Sequence, residues 1–237
     1  MHIPEPSTVQ PGSHAGLEVR VIAFSLRDES LHVLLVSAQR NGLWEIPGSE
    51  VGEMQSLEEA ASGRLFCLTG LRETYLEQLY TYGEQQRHPA GRVVSVVYFA
   101  LIPAQAGAAQ SGGQQAQSPY LQDEAQAKWF PAGEFSHLAG DHGEILAYAL
   151  RRLRYKLEYS AVGFQLLPEA FSLSELQKTY EMILGEKLDK RNFRRRMLQA
   201  GIIEPTPQLR GGEGRPARLY RYRPDAVAEV KTRRLFP

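Results

Sequence analysis

The side chains with the clearest chemical potential form a cationic segment near the carboxyl end of the chain. The seven residues from Lys190 to Arg196 include four arginines and one lysine. If a helix begins after Asp189, a favourable N-cap, then Phe193 and Met197 share one face and most of the cations lie away from it. Guanidinium groups bind phosphates, and arginine and asparagine bind base edges through paired hydrogen bonds. The segment therefore predicts a nucleic-acid-binding helix.

A second informative stretch, residues 47–71, is defined by the carboxylates that it lacks. It resembles the Nudix box, whose pattern is G-x5-E-x7-R-E-U-x-E-E-x-G-U, with U a bulky aliphatic residue. The register is fixed by Leu65 and by the closing pair Gly70 and Leu71. In that register the six charged or glycine positions of the pattern are occupied by Ser49, Gln55, Gly63, Arg64, Cys67 and Leu68.

These replacements remove the chemistry that the resemblance implies. In the Nudix family, glutamates three and four residues apart on one helix face hold Mg²⁺ or Mn²⁺, which activates water for pyrophosphate hydrolysis. Here Arg64, Cys67 and Leu68 occupy that face, and a guanidinium repels a metal cation. Glu58 and Glu59 are out of register and compensate the helix dipole instead. We therefore expect no catalytic residue, no metal site and no cofactor.

The composition is that of a globular protein with two differently charged parts. The 237 residues are 43% hydrophobic and 23% charged, and the formal net charge is zero. Residues 1–160 carry 12 Lys and Arg against 18 Asp and Glu, whereas residues 161–237 carry 15 against 9. An acidic first part and a basic second part indicate separate tasks, with nucleic acid as the partner of the second.

The sequence favours a cytoplasmic location. No apolar run approaches the ~18 residues of a membrane span, and the first residues lack the basic and apolar regions of a secretion signal. The single cysteine, Cys67, excludes an internal disulfide, which is typical of a reducing compartment. We therefore expect no membrane partner.

The first part of the chain is predicted to be α/β. A helix begins with the capping box of Ser56 and Glu59 and ends at Gly70, and a second helix covers residues 142–158. Residues 104–118, nearly all Ala, Gln, Gly and Ser, predict a flexible loop. Strand-like runs occur at residues 17–24, 31–36, 77–82, 92–101 and 128–130.

The second part has the element order of a winged helix-turn-helix. A capping box at Ser172 and Glu175 begins a helix that ends at Gly185, and the cationic helix and a basic hairpin with a Gly-rich turn follow. In such a domain the second helix enters the major groove and the hairpin lies along the DNA backbone or minor groove. A run of cations can also be a solvated helix face that only keeps the domain soluble. The order of the elements around this run favours DNA binding instead. The predicted DNA-binding residues are Lys190, Arg191, Asn192, Arg194, Arg195, Arg215 and Arg218.

Several segments carry a wider resemblance, among them residues 87–95, 141–146, 166–169, 175–181, 188–195 and 214–220. With the degenerate box, they are similar to the NrtR-like family of Nudix-related transcriptional regulators. The resemblance implies a two-domain protein of α+β and α/β class. A Nudix-like mixed-sheet sandwich (residues 1–158) senses a ligand and dimerises, and a small winged helix-turn-helix domain (residues 159–237) follows.

The same resemblance implies a homodimeric regulator, usually a repressor, on double-stranded operator DNA. The best-known members respond to ADP-ribose and control NAD metabolism, whereas other branches respond to sugars such as arabinose. The direction of the ligand effect, the operator and the regulated genes do not follow from the sequence.

An ADP-ribose-like effector needs cations for its diphosphate and an aromatic surface for its adenine. The residues predicted to supply them are Arg20, Arg40, Trp44, Arg64, Arg87 and Arg92. Packing is an equally good interpretation of Trp44, and Arg87 and Arg92 can serve a dimer interface or DNA instead. Asp141, His142 and Glu144 are interpreted as a helix N-cap with dipole-compensating charge rather than as metal ligands.

Two functions of other classes stay open beside this one. A Nudix pyrophosphohydrolase localised by a basic tail predicts Mg²⁺-dependent release of AMP from a nucleoside diphosphate sugar. A ligand-independent DNA-binding protein, whose first domain only dimerises, predicts DNA affinity unchanged by any metabolite.

Overall fold

The computed structural model describes residues 15–37, 42–85, 87, 91–103, 127–133, 138–211 and 216–226. The predicted flexible loop at residues 104–118 lies outside these ranges, as do the candidate site residues Arg40 and Arg215. Within these ranges the first domain contains seven strands, β1 (Gly16–Arg27), β2 (Ser30–Ser37), β3 (Trp44–Glu45), β4 (Gly48–Glu50), β5 (Tyr75–Tyr82), β6 (Val93–Ile102) and β7 (Ala127–Pro131). The α-helices described in this domain are α1 (Leu57–Thr69) and α2 (His142–Leu157).

The strands of the first domain form one mixed sheet. Its main path runs β3-β2-β1-β6-β5, with β4 paired to β1 and β7 paired to β2. The long central pair, β1 and β6, is parallel, whereas β1 with β2 and β5 with β6 are antiparallel. Because β4 and β2 share the same edge of β1, that strand reaches two partners along its length.

The two faces of this sheet are covered by different helices. Side chains at alternate positions of a strand point to opposite faces, so Val19 and Val21 pack against α1 while Ile22 and Phe24 lie in the core that contains α2. The even-numbered Arg20 therefore belongs to the α2 side of the sheet.

The helix α1 has the boundaries that its sequence predicts. Ser56 accepts a hydrogen bond from the backbone of Glu59, whose carboxylate accepts one from the backbone of Ser56, and Gly70 ends the helix with a left-handed φ of 73°. In its middle, a Cβ built on Gly63 meets no atom within 4 Å. The glycine is thus not required by packing among the described residues.

We expect Gly63→Ala to stabilise the protein by about 1 kcal/mol, because alanine restricts the unfolded chain and favours the helix. Urea denaturation measures the difference in the free energy of unfolding. Gly70→Ala is the opposing control, since its positive φ strains a side chain and stability falls. A loss of stability in Gly63→Ala would contradict the prediction.

The second domain is a winged helix-turn-helix. Two α-helices, α3 (Leu173–Leu184) and α4 (Lys190–Gln199), are followed by the hairpin of β9 (Ile203–Arg210) and β10 (Ala217–Tyr222). The short strand β8 (Phe171–Ser172) pairs with β10 to complete a three-stranded sheet. Both predicted N-caps, Ser172 for α3 and Asp189 for α4, accept backbone hydrogen bonds from the first turn of their helices.

The two domains share one hydrophobic core. It extends from the α2 face of the first sheet through a short 3₁₀ segment, Ala161–Leu166, to α3 and α4. Gly163 lies at the junction, where an added Cβ would come within 2.9 Å of Leu157 in α2 and 3.0 Å of Tyr180 in α3. A side chain at this position would therefore require Leu157 and Tyr180 to move apart.

The predicted fold class, a Nudix-like mixed-sheet sandwich followed by a winged helix-turn-helix, is confirmed. The short strands β3, β4 and β8 were not predicted, because two or three residues carry no detectable alternation. No helix in the described part of the chain is long and apolar enough to cross a membrane.

Candidate functional site

A group of polar and charged side chains lies on the α2 side of the first sheet, largely removed from solvent. We call it the polar cluster, and it consists of Glu18, Arg20, Glu45, Arg87, Ser95, Asp141 and His142. These residues come from β1, β3, β6, the chain after β5 and the start of α2. Buried ionic groups are costly unless paired, so a network of this size at a sheet edge is a candidate binding site.

Arg20 is the centre of one half of the polar cluster. Its side chain is 8% exposed, and its guanidinium binds both carboxylate oxygens of Glu18, through Nε at 2.7 Å and Nη2 at 3.0 Å. Its Nη1 donates to the backbone carbonyl of Ile46 at 2.9 Å and lies 3.4 Å from the carboxylate of Glu45. The sequence contained the signal for this pair, since residues two apart on a strand share a face.

Arg87 is the centre of the other half. It forms an ion pair with Asp141, and its Nη1 donates to Ser95 Oγ at 2.8 Å. Ser95 in turn donates to Glu18, which joins the two halves. The Arg87 side chain is 10% exposed and that of Asp141 is 27% exposed, while Glu45 in the other half is 33% exposed, so both halves of the network reach solvent through a carboxylate.

Asp141 differs from its predicted role. It stands at the N-cap position of α2 but its side chain makes no capping hydrogen bond, because its carboxylate is bound by Arg87. Sequence reasoning did not anticipate this contact, which joins residues 54 positions apart. The carboxylate belongs to the polar cluster rather than to the helix terminus.

His142 is buried beside the same pair. Its Nδ1 accepts a hydrogen bond from the backbone N–H of Ile46 at 3.1 Å, which requires the neutral ring. Burial, reinforced by the positive charge of Arg20, lowers the pKa of His142 to about 4. The imidazole therefore remains neutral in the folded protein through the physiological range.

This lowered pKa predicts a loss of stability in acid. Between pH 6.5 and about 4 the unfolded chain protonates His142 while the folded protein does not, so stability falls as pH decreases through that window. At about 1.4 kcal/mol per pH unit, the loss from this residue reaches about 2 kcal/mol at pH 5. His142→Asn retains an acceptor for Ile46 without titrating, and urea denaturation from pH 7.5 to 4.5 should show a shallower decline. Parallel profiles for the two proteins would contradict the assignment.

The remaining predicted ligand residues lie at different places. Trp44 directly precedes Glu45 and packs edge-on against Phe130, with 4.7 Å between the ring centroids. Arg64 belongs to α1, which covers the opposite face of the sheet. Arg92 is exposed just before β6, where its carbonyl accepts from Gly16 N–H at 2.8 Å. The structure thus brings Arg20 and Arg87 into one network and leaves Arg64 and Arg92 apart from it.

The polar cluster offers no metal site among the described residues. Each carboxylate in its centre is bound by a guanidinium, and within the described ranges no three His, Cys, Asp or Glu side chains are placed to hold a metal. A guanidinium that binds a carboxylate can exchange it for a phosphate, because two oxygens of either group can accept its paired hydrogen bonds.

The second candidate surface is the outer face of α4. Phe193 and Met197 are buried, as predicted, and Lys190, Arg191 and Arg195 are exposed on the other side. The predicted outward position of Arg194 is only partly observed, because that side chain is half-buried. It donates to Ser174 Oγ of α3 at 3.0 Å and so ties the two helices together.

The pairing of charges separates this face from the rest of the domain. Arg210 and Arg221 on the hairpin are paired with Glu175 and Glu204. By contrast, the described residues provide no carboxylate partner for the exposed cations that lie on α4 and on the outer side of β10, namely Lys190, Arg191, Arg195 and Arg218. Asn192 Oδ1 accepts from Arg195 at 2.8 Å, which orients both groups. These charges are free for an external polyanion.

Family comparisons assign both halves of the chain. The model of the NUDIX domain matches residues 16–153, and the model of the NrtR DNA-binding winged helix domain matches residues 163–222. The first of these alone covers more than half of the chain.

Relatives of known identity match nearly the whole length. The chain is 35% identical over 213 residues to the ADPR responsive transcriptional repressor NtrR of Acinetobacter baylyi, covering 87% of this chain and 81% of that protein. The crystal structure of Shewanella oneidensis NrtR complexed with a 27mer DNA is similar with a TM-score of 0.78 and 34% identity, covering 92% of this chain and 98% of that one. The structure of the same Shewanella oneidensis protein without DNA gives a TM-score of 0.75 and 35% identity, covering 92% and 97%.

Proposed function

The chain belongs to the NrtR family of Nudix-related transcriptional regulators, and we therefore propose that it is a DNA-binding repressor whose affinity for its operator is set by ADP-ribose or a closely related metabolite. The observation that carries the proposal is the charge arrangement of the winged helix-turn-helix. Arg210 and Arg221 on the hairpin are paired with carboxylates, whereas Lys190, Arg191 and Arg195 on α4 and Arg218 on β10 have no carboxylate partner among the described residues.

In this proposal α4 enters the major groove and the hairpin follows the backbone. Arg191 and Asn192 read base edges, because they lie in the first turn of α4 and have the functional groups that bind bases bidentately. The other residues proposed for DNA contact are Lys190, Arg194, Arg195, Arg215 and Arg218, which are phosphate ligands by type.

A palindromic operator requires two copies of α4 related by a two-fold axis, so we propose a homodimer that works in the cytoplasm. We place the boundary between the sensing domain (residues 1–158) and the reading domain (residues 159–237) just after α2. The first domain holds the effector and supplies the dimer contact.

We propose that the effector's diphosphate binds at the end of the polar cluster where Arg87 meets Asp141. Arg20 supports the site through Glu18 and Ser95, and Trp44 offers an aromatic surface near it. Arg40, Arg64 and Arg92 are retained as further proposed contacts for the remainder of the ligand. The A. baylyi relative, named as ADPR-responsive, favours ADP-ribose over a sugar as the effector.

We also propose that the first domain does not hydrolyse this ligand. Gln55, Arg64 and Cys67 replace glutamates of the Nudix box, and these side chains cannot together coordinate Mg²⁺. Incubation with ADP-ribose and Mg²⁺ should therefore release no AMP. Release of at least one AMP per protein molecule, above the release in buffer alone, would favour the hydrolase alternative.

Fluorescence anisotropy on the DNA upstream of its own gene, at fixed salt, tests the proposed function. We expect specific binding whose affinity changes at least about fivefold on addition of ADP-ribose, the range typical of allosteric coupling. A sugar panel, including arabinose, is measured in parallel. A response to a sugar alone would transfer the protein to the sugar-sensing branch, and DNA binding indifferent to every ligand would favour the ligand-independent alternative.

A further inference from the structure

The helix α2 contacts both the polar cluster and α3 of the second domain. His142, its first residue, belongs to the polar cluster. Arg154 lies about 20 Å further along, at a rise of about 1.5 Å per residue. There its Nε donates a hydrogen bond to the backbone carbonyl of Ile183 in α3 at 2.9 Å. One rigid element thus spans the distance between the two candidate sites.

The contact made by Arg154 is a helix cap supplied by the other domain. Ile183 lies in the last turn of α3, where carbonyl groups have no partner within the helix and the helix dipole favours a cation. A Cβ built on Gly185, the residue that ends α3, would lie 3.4 Å from Arg154 Nη2. The guanidinium therefore rests against the turn that leads into α4.

The helices α3 and α4 are held together firmly enough to move as one body. The rings of Tyr180 and Phe193 meet edge-on with 5.5 Å between their centroids. Across the intervening turn, Gln177 Nε2 donates to the carbonyl of Leu188, and the N–H of Leu188 donates to Glu181, each at 3.0 Å. A displacement of α3 is consequently passed on to α4.

Another polar contact between the domains joins two exposed side chains, whereas the hydrogen bond of Arg154, itself an exposed residue, is part-buried. Lys178 of α3 pairs with Glu29 in the turn between β1 and β2, but these side chains are 52% and 80% exposed. Exposed ion pairs contribute little and are screened by salt. The apolar packing at Gly163 holds the two domains together but is not directional. The Arg154 hydrogen bond is directional and therefore fixes the end of α3 relative to α2.

We propose that Arg154 is a positioning residue that couples effector occupancy to DNA reading. The inference rests on the proposed function and deepens it. An anion that takes Arg87 from Asp141 changes what holds the N-terminal end of α2. The helix transmits that change to Arg154, and the cap on α3 transfers it to α4.

The test is a coupling measurement on the full-length protein with Arg154→Met. The affinity for operator DNA is measured with and without ADP-ribose, and the affinity for ADP-ribose is measured by calorimetry without DNA. The coupling ratio is the larger of the two operator affinities, with and without ADP-ribose, divided by the smaller. For the natural protein we expect a coupling ratio of at least about 5. For Arg154→Met we expect a coupling ratio below about 2, with the affinity for ADP-ribose nearly unchanged. Arg152→Met, which removes an exposed arginine of the same helix, is the matched control and should retain the full ratio.

The outcomes separate this inference from the proposed function. A ratio of 1 in the natural protein refutes the ADP-ribose response itself. A ratio in Arg154→Met as large as that of the natural protein overturns the role of Arg154. This holds even if the variant binds DNA more weakly, because a purely structural residue lowers DNA affinity without altering the coupling to ADP-ribose. If Arg154→Met does not fold, Arg154→Lys keeps the cation but not the Nε donor. An intermediate ratio in that variant supports the inference, and the natural ratio overturns it.

Discussion

Replacement of both Arg191 and Asn192 by alanine is expected to remove most of the protein's preference for operator DNA. Both residues lie in the first turn of α4, the part of a recognition helix that meets base edges. Each bidentate base contact contributes about 1–3 kcal/mol of discrimination, so the double variant should lose roughly 30-fold or more in specific affinity. Arg191 carries no carboxylate partner among the described residues, so its loss leaves no unpaired charge in the protein.

Fluorescence anisotropy with operator and scrambled duplexes measures this effect as a ratio of dissociation constants. We expect the two affinities to converge in the double variant, with the scrambled duplex bound nearly as before. Arg151→Ala, an exposed arginine on α2, is the matched control for the loss of a positive charge. An unchanged ratio in the double variant would show that α4 is not the recognition helix.

The second large effect is expected from Glu18→Gln. The Arg20 side chain is 8% exposed and its guanidinium is held by both oxygens of Glu18, so neutralising that carboxylate leaves a buried charge without its main partner. Breaking a buried ion pair by removing one member costs about 3 kcal/mol. We therefore expect a loss of that order in the free energy of unfolding, measured by urea denaturation at pH 7.5.

Glu50→Gln is a closely matched control for this change. Glu50 lies opposite Glu18 in the register of β4 with β1, but it is exposed. The same loss of a carboxylate should there change stability by less than about 0.5 kcal/mol. Equal effects at the two positions would mean that the polar cluster contributes nothing specific to the stability of the sheet.

The charges of the polar cluster and those of α4 differ in how much they cost the folded protein. The polar cluster combines the cost of burying several charges with a location where β1, β6 and α2 meet, so its partners are interdependent. The cations of α4 are exposed to water and destabilise the fold little. Under the proposed function, a ligand that competes for Arg87 alters what holds α2, whereas DNA adds contacts to an existing surface.

Local sequence determined much of the architecture. The capping boxes at Ser56 and Ser172 and the glycines that follow the helices are properties of a few adjacent residues, and these boundaries were predicted correctly. The cationic face of α4 also follows from sequence, because helical periodicity separates Phe193 and Met197 from the arginines. The absence of glutamates from the Nudix-like box is likewise readable directly, residue by residue.

Only the tertiary structure decided which charged residues meet. Arg87 and Asp141 are 54 residues apart, and nothing in either local sequence distinguishes an ion pair from a helix cap. The cap that Arg154 provides for α3 depends on how α2 docks against the second domain, which no single helix specifies. Local patterns fix a residue's face and its helix terminus, because both depend on backbone geometry over a few residues. The partners of a buried charge depend on elements that approach from distant parts of the chain, and packing of the whole fold selects them.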